Sequence, residues 1–178
     1  MLELFKYTDS EQKELLKSMT ILIDTREKEK KNTHITDYLD SKNISWTRKA
    51  LPYGDYSVMI PKNEKLNIPR DLVFTNQICI ERKASLSEWA SNLVNDRSAV
   101  KKKFALSPPH KILMIENGSY EDMVNGNYYG NYSSKSYLAT FHSMWHEFDI
   151  PIIFMPNPEY SGMFIVGYLW YYIRNIIK

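Results

Sequence analysis

Short apolar runs alternate with polar turns along the chain, and their spacing predicts both strands and helices. Apolar, β-branched runs of four to seven residues bounded by turn residues are typical of buried strands, and apolar residues three or four apart are typical of amphipathic helices. The predicted strands are 20–23 (ending at Asp24), 44–49, 55–60, 77–82, 111–115 (ending at Glu116) and 150–155. The predicted helices are 9–18, 33–41, 86–94, a helix capped by Asp96 that ends at Leu106, 133–148 and 158–177.

The order of these elements favours an α/β fold. Strands dominate the first half, and helices alternate with strands in the second half, a pattern typical of a central mixed sheet flanked by helices. The 178 residues are enough for one domain with a sizeable core, and no repeat or low-complexity linker divides them. We expect one domain over 1–178, with an N-terminal helical extension over 1–19.

Composition adds limits rather than a function. The formal net charge is +2, so any field that attracts nucleic acid must come from local clusters of basic residues. Cys79 is the single cysteine, which excludes an intramolecular disulfide and fits a reducing compartment. The N-terminal residues lack an apolar signal-peptide core, and no apolar run is long enough to span a bilayer. We therefore expect a cytoplasmic protein without a membrane partner. The many Lys, Asn, Ile and Tyr residues are typical of an AT-rich genome, which favours a low-GC bacterium or its phage as the source.

Three acidic residues stand at or beside the ends of predicted strands. Asp24 lies in Ile-Asp-Thr-Arg-Glu, Asp55 in Tyr-Gly-Asp-Tyr, and Glu81 opens Glu-Arg-Lys, which ends at Lys83. Strand ends can bring these carboxylates together, and a bound divalent cation would relieve their repulsion. Carboxylate oxygens are the ligands that Mg²⁺ and Mn²⁺ prefer. A lysine beside such a metal can orient a water or stabilise charge on a phosphate, so the set points to phosphodiester hydrolysis.

The three motifs, in this order, resemble the XPF/Hef-type (ERCC4-like) nuclease domain of the PD-(D/E)XK superfamily. The resemblance runs from about residue 20 towards the C-terminus and weakens after residue 116. It implies a restriction-endonuclease-like fold and Mg²⁺-dependent endonuclease cleavage of DNA, with branched or flapped DNA as the expected substrate. It also implies that Mn²⁺ can substitute for Mg²⁺.

The resemblance assigns roles to residues of this chain. Asp24, Asp55 and Glu81 would hold metal, and Lys83 would be the catalytic lysine. Arg26, Glu27 and Arg82 would support the site, with the arginines holding phosphate or carboxylates and with membership of the metal shell as the alternative for Glu27. Related domains carry a basic helix that faces DNA phosphate, which here corresponds to Arg97, Lys101, Lys102 and Lys103; a solvated helix face is the alternative.

The chain departs from the family pattern in two places. The family usually has an Asp four residues after the lysine, where this chain has Ser87, and Glu88 is the nearest substitute. The stretch 56–80 is also longer than usual. We interpret it as an extended insertion near the site, where it could tune substrate choice.

Other residues carry weaker signals. Tyrosines of the loop 126–132 could stack on unpaired bases or pack on neighbouring side chains. His142 and His146 have a helical spacing that can hold zinc, but the sequence offers no third ligand, so we expect them to be partly buried histidines. Cys79 is interpreted as a small core residue. Glu116 is interpreted as structural, with a supporting role in the site as the alternative.

The last predicted helix is apolar nearly all round. Such a helix is either a core helix or part of a homodimer interface.

The function also has alternatives: a non-catalytic DNA-binding scaffold that serves a partner enzyme, and a nuclease of another PD-(D/E)XK branch.

Overall fold

The computed structural model describes residue 2 and residues 6–177. Residues 1 and 3–5 of the predicted N-terminal extension, and residue 178, lie outside the described residues. The strands are β1 (Thr20–Asp24), β2 (Trp46–Lys49), β3 (Tyr56–Ile60), β4 (Leu72–Val73), β5 (Ile78–Lys83), β6 (His110–Glu116) and β7 (Ile152–Met155). The helices are α1 (Asp9–Ser18), α2 (Thr33–Ser41), α3 (Leu86–Asn95), α4 (Arg97–Leu106), α5 (Tyr120–Asn125), α6 (Ser134–Phe148) and α7 (Ser161–Ile177). Short 3₁₀ turns cover Glu29–Lys31, Glu64–Leu66 and Pro158–Tyr160.

All seven strands belong to one mixed sheet with the order β2-β1-β3-β5-β6-β7, and β4 pairs with β3. Strand β3 is antiparallel to β1 and β5, whereas the β1–β2, β5–β6 and β6–β7 pairs are parallel. The C-terminal ends of β1, β5, β6 and β7 therefore lie at the same end of the sheet as the start of β3. We call this the acidic end, because it carries Asp24, Asp55 and Glu81. The expected α/β class with a central mixed sheet flanked by helices is confirmed.

Two hydrophobic clusters cover the two faces of the sheet. One face packs against α2 and α7 through side chains such as Ile35, Leu39 and Leu169. The other face packs against α3, α4 and α6 through Trp89, Phe104 and Tyr137 among others. Successive residues of a strand point to opposite faces, and in β6 Met114 belongs to the first cluster and Leu113 to the second. We call these the α7 face and the α3–α4 face.

The observed elements differ from the predicted ones mainly at their ends. Strand β2 begins at Trp46 rather than at residue 44, β7 begins at Ile152, and the first residues of the last predicted helix form a 3₁₀ turn. Two elements were not predicted. Strand β4 has only two residues, too few for a periodic pattern. Helix α5 is short, although Ser119 and Asp122 form a capping box at its start.

The stretch 56–80 occupies a different place from the one predicted. Its first and last residues belong to the central strands β3 and β5, and its middle returns along β3 as β4, with Ile60 opposite Leu72. The chain leaves β3 at Ile60, the end remote from Asp55. Five strand residues span about 17 Å, so the prediction of an insertion near the site is wrong. The segment instead adds Leu66 and Ile68 to the core of the α7 face.

Helix α7 serves as a core helix along one stripe. Ile165, Leu169, Ile173 and Ile177 are buried at a spacing of four residues. Its outer side is less covered, with Met163 and Tyr171 more than half exposed. A groove of about 750 Å³ runs along this side and opens beside Ile78 and His110. A homodimer through this surface stays a prediction. No helix within residues 6–177 is long and apolar enough to cross a membrane.

Candidate active site

Backbone hydrogen bonds hold the three acidic motifs side by side at the acidic end. The amide of Asp24 donates to the carbonyl of Asp55 at 2.8 Å, and the amide of Asp55 donates to the carbonyl of Ile80, also at 2.8 Å. The amide of Arg82 donates to Asp55 Oδ2 at 2.7 Å. Asp55 is therefore fixed between β1 and β5, within one residue of Glu81.

Gly54 permits this close approach. Its backbone is left-handed, with φ of +67°. A Cβ atom there would lie 2.8 Å from Cys79 Cβ and 2.9 Å from the carbonyl oxygen of Ile80. The glycine of the Gly-Asp motif thus lets the turn lie against β5, as expected of a residue that must approach a neighbouring backbone. Cys79 is buried, and burial raises the pKa of its thiol to about 12, so it is a core residue rather than a nucleophile.

Asp24 is fully engaged with neighbouring donors. Arg26 binds it through Nε to Oδ1 at 2.9 Å and through Nη2 to Oδ2 at 2.6 Å. The amides of Arg26 and Leu51 donate to the same carboxylate at 2.7 and 3.1 Å. Burial alone would raise the pKa of Asp24, but these hydrogen bonds outweigh it and the pKa is lowered. Arg26 is mostly exposed, so its side chain covers Asp24 from the solvent side.

Asp55 and Glu81 have opposite electrostatic environments. Burial, followed by repulsion from Glu81, raises the pKa of Asp55 to about 7. Glu81 is 4% exposed, and burial would raise its pKa too, but Lys83 and Lys103 outweigh this and lower it. The difference arises because two ammonium groups contact Glu81 directly, whereas no ammonium group is within ion-pair distance of Asp55 among the described residues.

Glu81 and Lys83 point to the α3–α4 face, since their partners in β6, Leu113 and Ile115, belong to that cluster. Lys83 Nζ lies 2.9 Å from Glu81 Oε1. Lys103 of α4 reaches the same carboxylate, with Nζ 2.5 Å from Oε2. Beside them a cavity of about 250 Å³ is lined by side chains of α3 and α4 that include Asn92 and Asn95.

Arg82 points to the opposite face and is buried. Its Nη1 donates to Glu27 Oε1 at 2.6 Å, and its Nη2 donates to Glu116 Oε2 at 2.5 Å and to the carbonyl of Lys31 at 2.8 Å. His34 Nε2 lies 2.9 Å from the other oxygen of Glu116. Arg82 is 6% exposed and lies between two glutamates, so it braces carboxylates and the loop before α2 rather than contacting phosphate.

This network also places two residues whose roles were open. Glu27 faces Arg82, which makes it a support of the site's frame rather than a member of the carboxylate group at Glu81. Glu116 is completely buried, and the hydrogen bond from Arg82 overcomes the effect of burial and lowers its pKa. The structural interpretation of Glu116 agrees with this geometry. The sequence carried a signal for it, a single carboxylate at the end of a buried strand, but not the identity of its partners.

The oxygens at the acidic end fit a divalent cation only in part. Asp55 and Glu81 are adjacent, and the raised pKa of Asp55 indicates a carboxylate that a hard cation would stabilise. Glu81 is already neutralised by its contacts with Lys83 and Lys103. Asp24 would bind such a cation only after Arg26 moves. Within residue 2 and residues 6–177, no three His, Cys, Asp or Glu side chains are arranged as a ready-made metal site.

The predicted DNA-binding residues of α4 are not gathered on one surface. Lys101 pairs with Glu147 of α6 at 2.6 Å, and Lys103 pairs with Glu81. Arg97 and Lys102 are exposed. Their contact with DNA phosphate stays a prediction.

The remaining candidates lie outside the carboxylate group. Glu88 Oε2 accepts from the amide of Ala84, just before α3, whose N-cap is Ser85, and Ser87 Oγ accepts from the amide of Tyr129. His142 lies against Tyr120, with His142 Nε2 3.4 Å from the hydroxyl. Both His142 and His146 are exposed, so the expectation of partly buried histidines is wrong.

Comparisons with known proteins identify the family and the fold. The sequence matches the ERCC4 domain over residues 23–168. Among solved structures, XPF from Aeropyrum pernix is 20% identical, with a TM-score of 0.60 over 84% of this chain and 59% of that one. XPF from Aeropyrum pernix in complex with DNA is 18% identical, with a TM-score of 0.62 over 88% of this chain and 66% of that one.

The chain thus spans less than two thirds of the length of either XPF chain, and the likeness to them shows the fold. A search of proteins with curated functions gave no match. The family match, however, covers all three acidic motifs and most of the chain. This protein belongs to the ERCC4 domain family.

Proposed function

We propose that this ERCC4 domain is a divalent-metal-dependent DNA endonuclease. The observation that carries the proposal is the juxtaposition of Asp55, Glu81 and Lys83 at one end of the sheet in a member of this family. Asp55 and Glu81 would hold Mg²⁺ or Mn²⁺, and Asp24 would join them when Arg26 releases it. A cation bound there would supply Lewis-acid polarisation of the phosphate and lower the pKa of an attacking water.

Of the roles open to a lysine beside a metal, Lys83 would take that of a fixed cation. Burial would lower the pKa of Lys83, but the adjacent Glu81 carboxylate outweighs this and the pKa is raised. In the metal-free protein the amine therefore remains protonated near neutral pH. Lys83 would act as a fixed cation that donates hydrogen bonds and stabilises the negative charge developing on the phosphate.

The tyrosine loop (126–132) is a reason to propose DNA with unpaired nucleotides as the substrate. Tyr128 packs edge-on against Tyr137, with 5.0 Å between ring centroids, and donates its hydroxyl hydrogen to the carbonyl of Tyr132. The amide of Tyr129 donates to Ser87 Oγ at 2.9 Å, four residues after Lys83. Tyr129 itself is 89% exposed. An anchored loop that presents one bare aromatic ring suits stacking on an unpaired base, as at a flap or fork.

Cleavage of labelled duplex, single-stranded, flap and fork DNA tests the proposal. The reactions contain Mg²⁺, Mn²⁺ or EDTA and compare the wild type with Asp55→Asn. We expect metal-dependent cutting of the flap and fork, lost in Asp55→Asn and kept in Asp37→Asn, which removes an exposed carboxylate of α2. Cutting by Asp55→Asn at the wild-type rate would contradict the site assignment.

A second function is favoured by a specific observation. Arg26 forms an ion pair with Asp24, and Lys103 forms one with Glu81, so the acidic end is neutralised by the protein's own cations. A non-catalytic DNA-binding scaffold would show this arrangement permanently. Its signature is DNA binding without cleavage under every metal and without any binding of Mn²⁺.

A cytoplasmic location, expected from the lone Cys79, stays a prediction.

A further inference from the structure

Lys103 makes an unexpected contact for a residue of a surface helix. It extends from α4 to the end of β5, where its Nζ lies 2.5 Å from Glu81 Oε2. Lys83 Nζ lies 2.9 Å from the other oxygen of the same carboxylate. Both oxygens of Glu81 are therefore next to ammonium groups, and these are the oxygens that the proposed function needs for a divalent cation.

The two lysines differ in how easily they can leave. Lys83 is on the same strand as Glu81, and its side chain is 13% exposed. Lys103 comes from a separate helix, and its side chain is 42% exposed. Glu81 Oε2 is buried and meets no donor in hydrogen-bonding geometry among the described residues, so Lys103 holds it as an ion pair. A half-exposed ammonium group held mainly by charge can exchange with solvent and with other cations.

From this geometry we infer that Lys103 is a displaceable substitute for the divalent cation. It neutralises Glu81 in the metal-free protein, leaves Glu81 when a divalent cation is bound there, and then contacts a DNA phosphate. The inference rests on the proposed function, since it takes Glu81 as a metal ligand. It gives Lys103 a role separate from that of its neighbours on α4: Lys103 becomes available to DNA only after metal has bound.

Metal affinity in the absence of DNA tests the first half of the inference. We would titrate Mn²⁺ by isothermal calorimetry into the wild type, Lys103→Met, Lys103→Arg and Lys102→Met. Methionine keeps the apolar stem and the helical preference of lysine. Lys103→Met should bind Mn²⁺ roughly tenfold more tightly, because the competing cation is gone. Lys103→Arg, which keeps the charge, and Lys102→Met, on an exposed neighbouring position, should match the wild type.

The salt dependence of DNA binding tests the second half. The probe is flap DNA with phosphorothioate linkages, measured with and without Mn²⁺. Each phosphate contact contributes a slope of about one to the dependence of affinity on salt. Lys103→Met should lower that slope by about one only when Mn²⁺ is present. Lys102→Met should lower it equally under both conditions if it contacts phosphate, and under neither if it does not.

The outcomes separate this inference from the proposed function. If the wild type binds Mn²⁺ and Lys103→Met binds it with the same or weaker affinity, Lys103 does not compete for Glu81 and the inference is overturned, whereas the nuclease proposal stands. If Lys103→Met lowers the salt slope in EDTA as well, Lys103 contacts DNA without release by metal, which also overturns it. If the wild type neither binds Mn²⁺ nor cuts DNA, the proposed function itself is wrong.

Discussion

At the scale of single residues, Glu116 shows how a buried charge can serve the frame of a site without taking part in it. It is paired with Arg82, which in turn holds Glu27 and fixes the strand that carries Glu81. Removing Glu116 leaves the buried Arg82 still paired with Glu27, so the cost should be below the roughly 3 kcal/mol or more that follows when a buried charge loses all compensation. We expect Glu116→Gln to lower the free energy of unfolding at pH 7 by about 1–3 kcal/mol, as measured by urea denaturation. Glu147→Gln, in the exposed pair with Lys101, should cost less than about 1 kcal/mol.

Glu116 should also make the free energy of unfolding depend on pH in a defined direction. The pKa of Glu116 is lower in the folded protein than its ordinary value, so the unfolded chain binds the proton more readily. Its contribution to stability is therefore full above the unfolded pKa of about 4.3 and is lost as the pH falls through the folded value. The difference in unfolding free energy between wild type and Glu116→Gln should shrink below about pH 4. A difference that stays constant to lower pH would contradict the ion pair with Arg82.

Gly54 is a second residue whose importance is backbone geometry. Alanine there would bring a Cβ atom within 3 Å of both Cys79 and the backbone of β5, in a left-handed conformation that favours glycine. We expect Gly54→Ala to lower the unfolding free energy by about 1–3 kcal/mol. It should also weaken Mn²⁺ binding, because it displaces the neighbouring Asp55. Gly167→Ala is the control, because its Cβ would meet nothing within 4 Å in α7. It should be neutral or stabilising by up to about 1 kcal/mol.

At the scale of elements, the tyrosine loop carries a prediction about substrate. Replacing Tyr129 by serine removes the exposed ring, and stacking on one base is worth about 1–3 kcal/mol. Tyr129→Ser should therefore bind single-stranded and flap DNA about 5-fold to about 150-fold more weakly in EDTA by fluorescence anisotropy. Tyr129→Phe, which keeps the ring, should bind like the wild type.

The control for that measurement is Tyr171→Ser, which removes another exposed tyrosine beside the groove at the starts of β5 and β6, the opposite end of the sheet. It should leave binding unchanged. Equal losses for blunt duplex and single-stranded DNA in Tyr129→Ser would point to a general effect on the loop, not to stacking on unpaired bases.

The elements also show what the sequence could and could not predict. Apolar runs located β1, β5 and β6, and a strand's end is a local property, so Asp24, Asp55 and Glu81 could be placed at or beside strand ends. That they meet at one end of the sheet was implied mainly by the family resemblance, because strand order is not a local property. The exact partner of a long side chain depends on how elements pack. The contacts of Lys103 with Glu81 and of Arg82 with Glu116 join residues far apart in sequence, and no local pattern encodes them. The position of the 56–80 segment was missed for the same reason, since it depends on strand pairing.

At the scale of the whole molecule, the acidic end should couple metal binding to folding. A ligand that binds only the folded state stabilises it by mass action, about 2.7 kcal/mol at a hundredfold excess over Kd, which corresponds to a rise in Tm of roughly 5–10 °C for a chain of this size. We expect Mn²⁺ to raise the Tm of the wild type and of Asp37→Asn. It should leave Asp55→Asn and Glu81→Gln nearly unchanged.

Without metal, the two site variants should differ in sign, and this difference tests the electrostatics directly. Asp55 is repelled by Glu81, so Asp55→Asn relieves like-charge repulsion and should raise the Tm of the metal-free protein. Glu81 neutralises Lys83 and Lys103, so Glu81→Gln leaves the mostly buried Lys83 without its counter-charge and should lower the Tm. Thermal unfolding in EDTA measures both. A loss of stability in both variants would show that Asp55 contributes more through its hydrogen bond from the Arg82 amide than it loses by repulsion, and that β5 needs both carboxylates to hold its place at the acidic end.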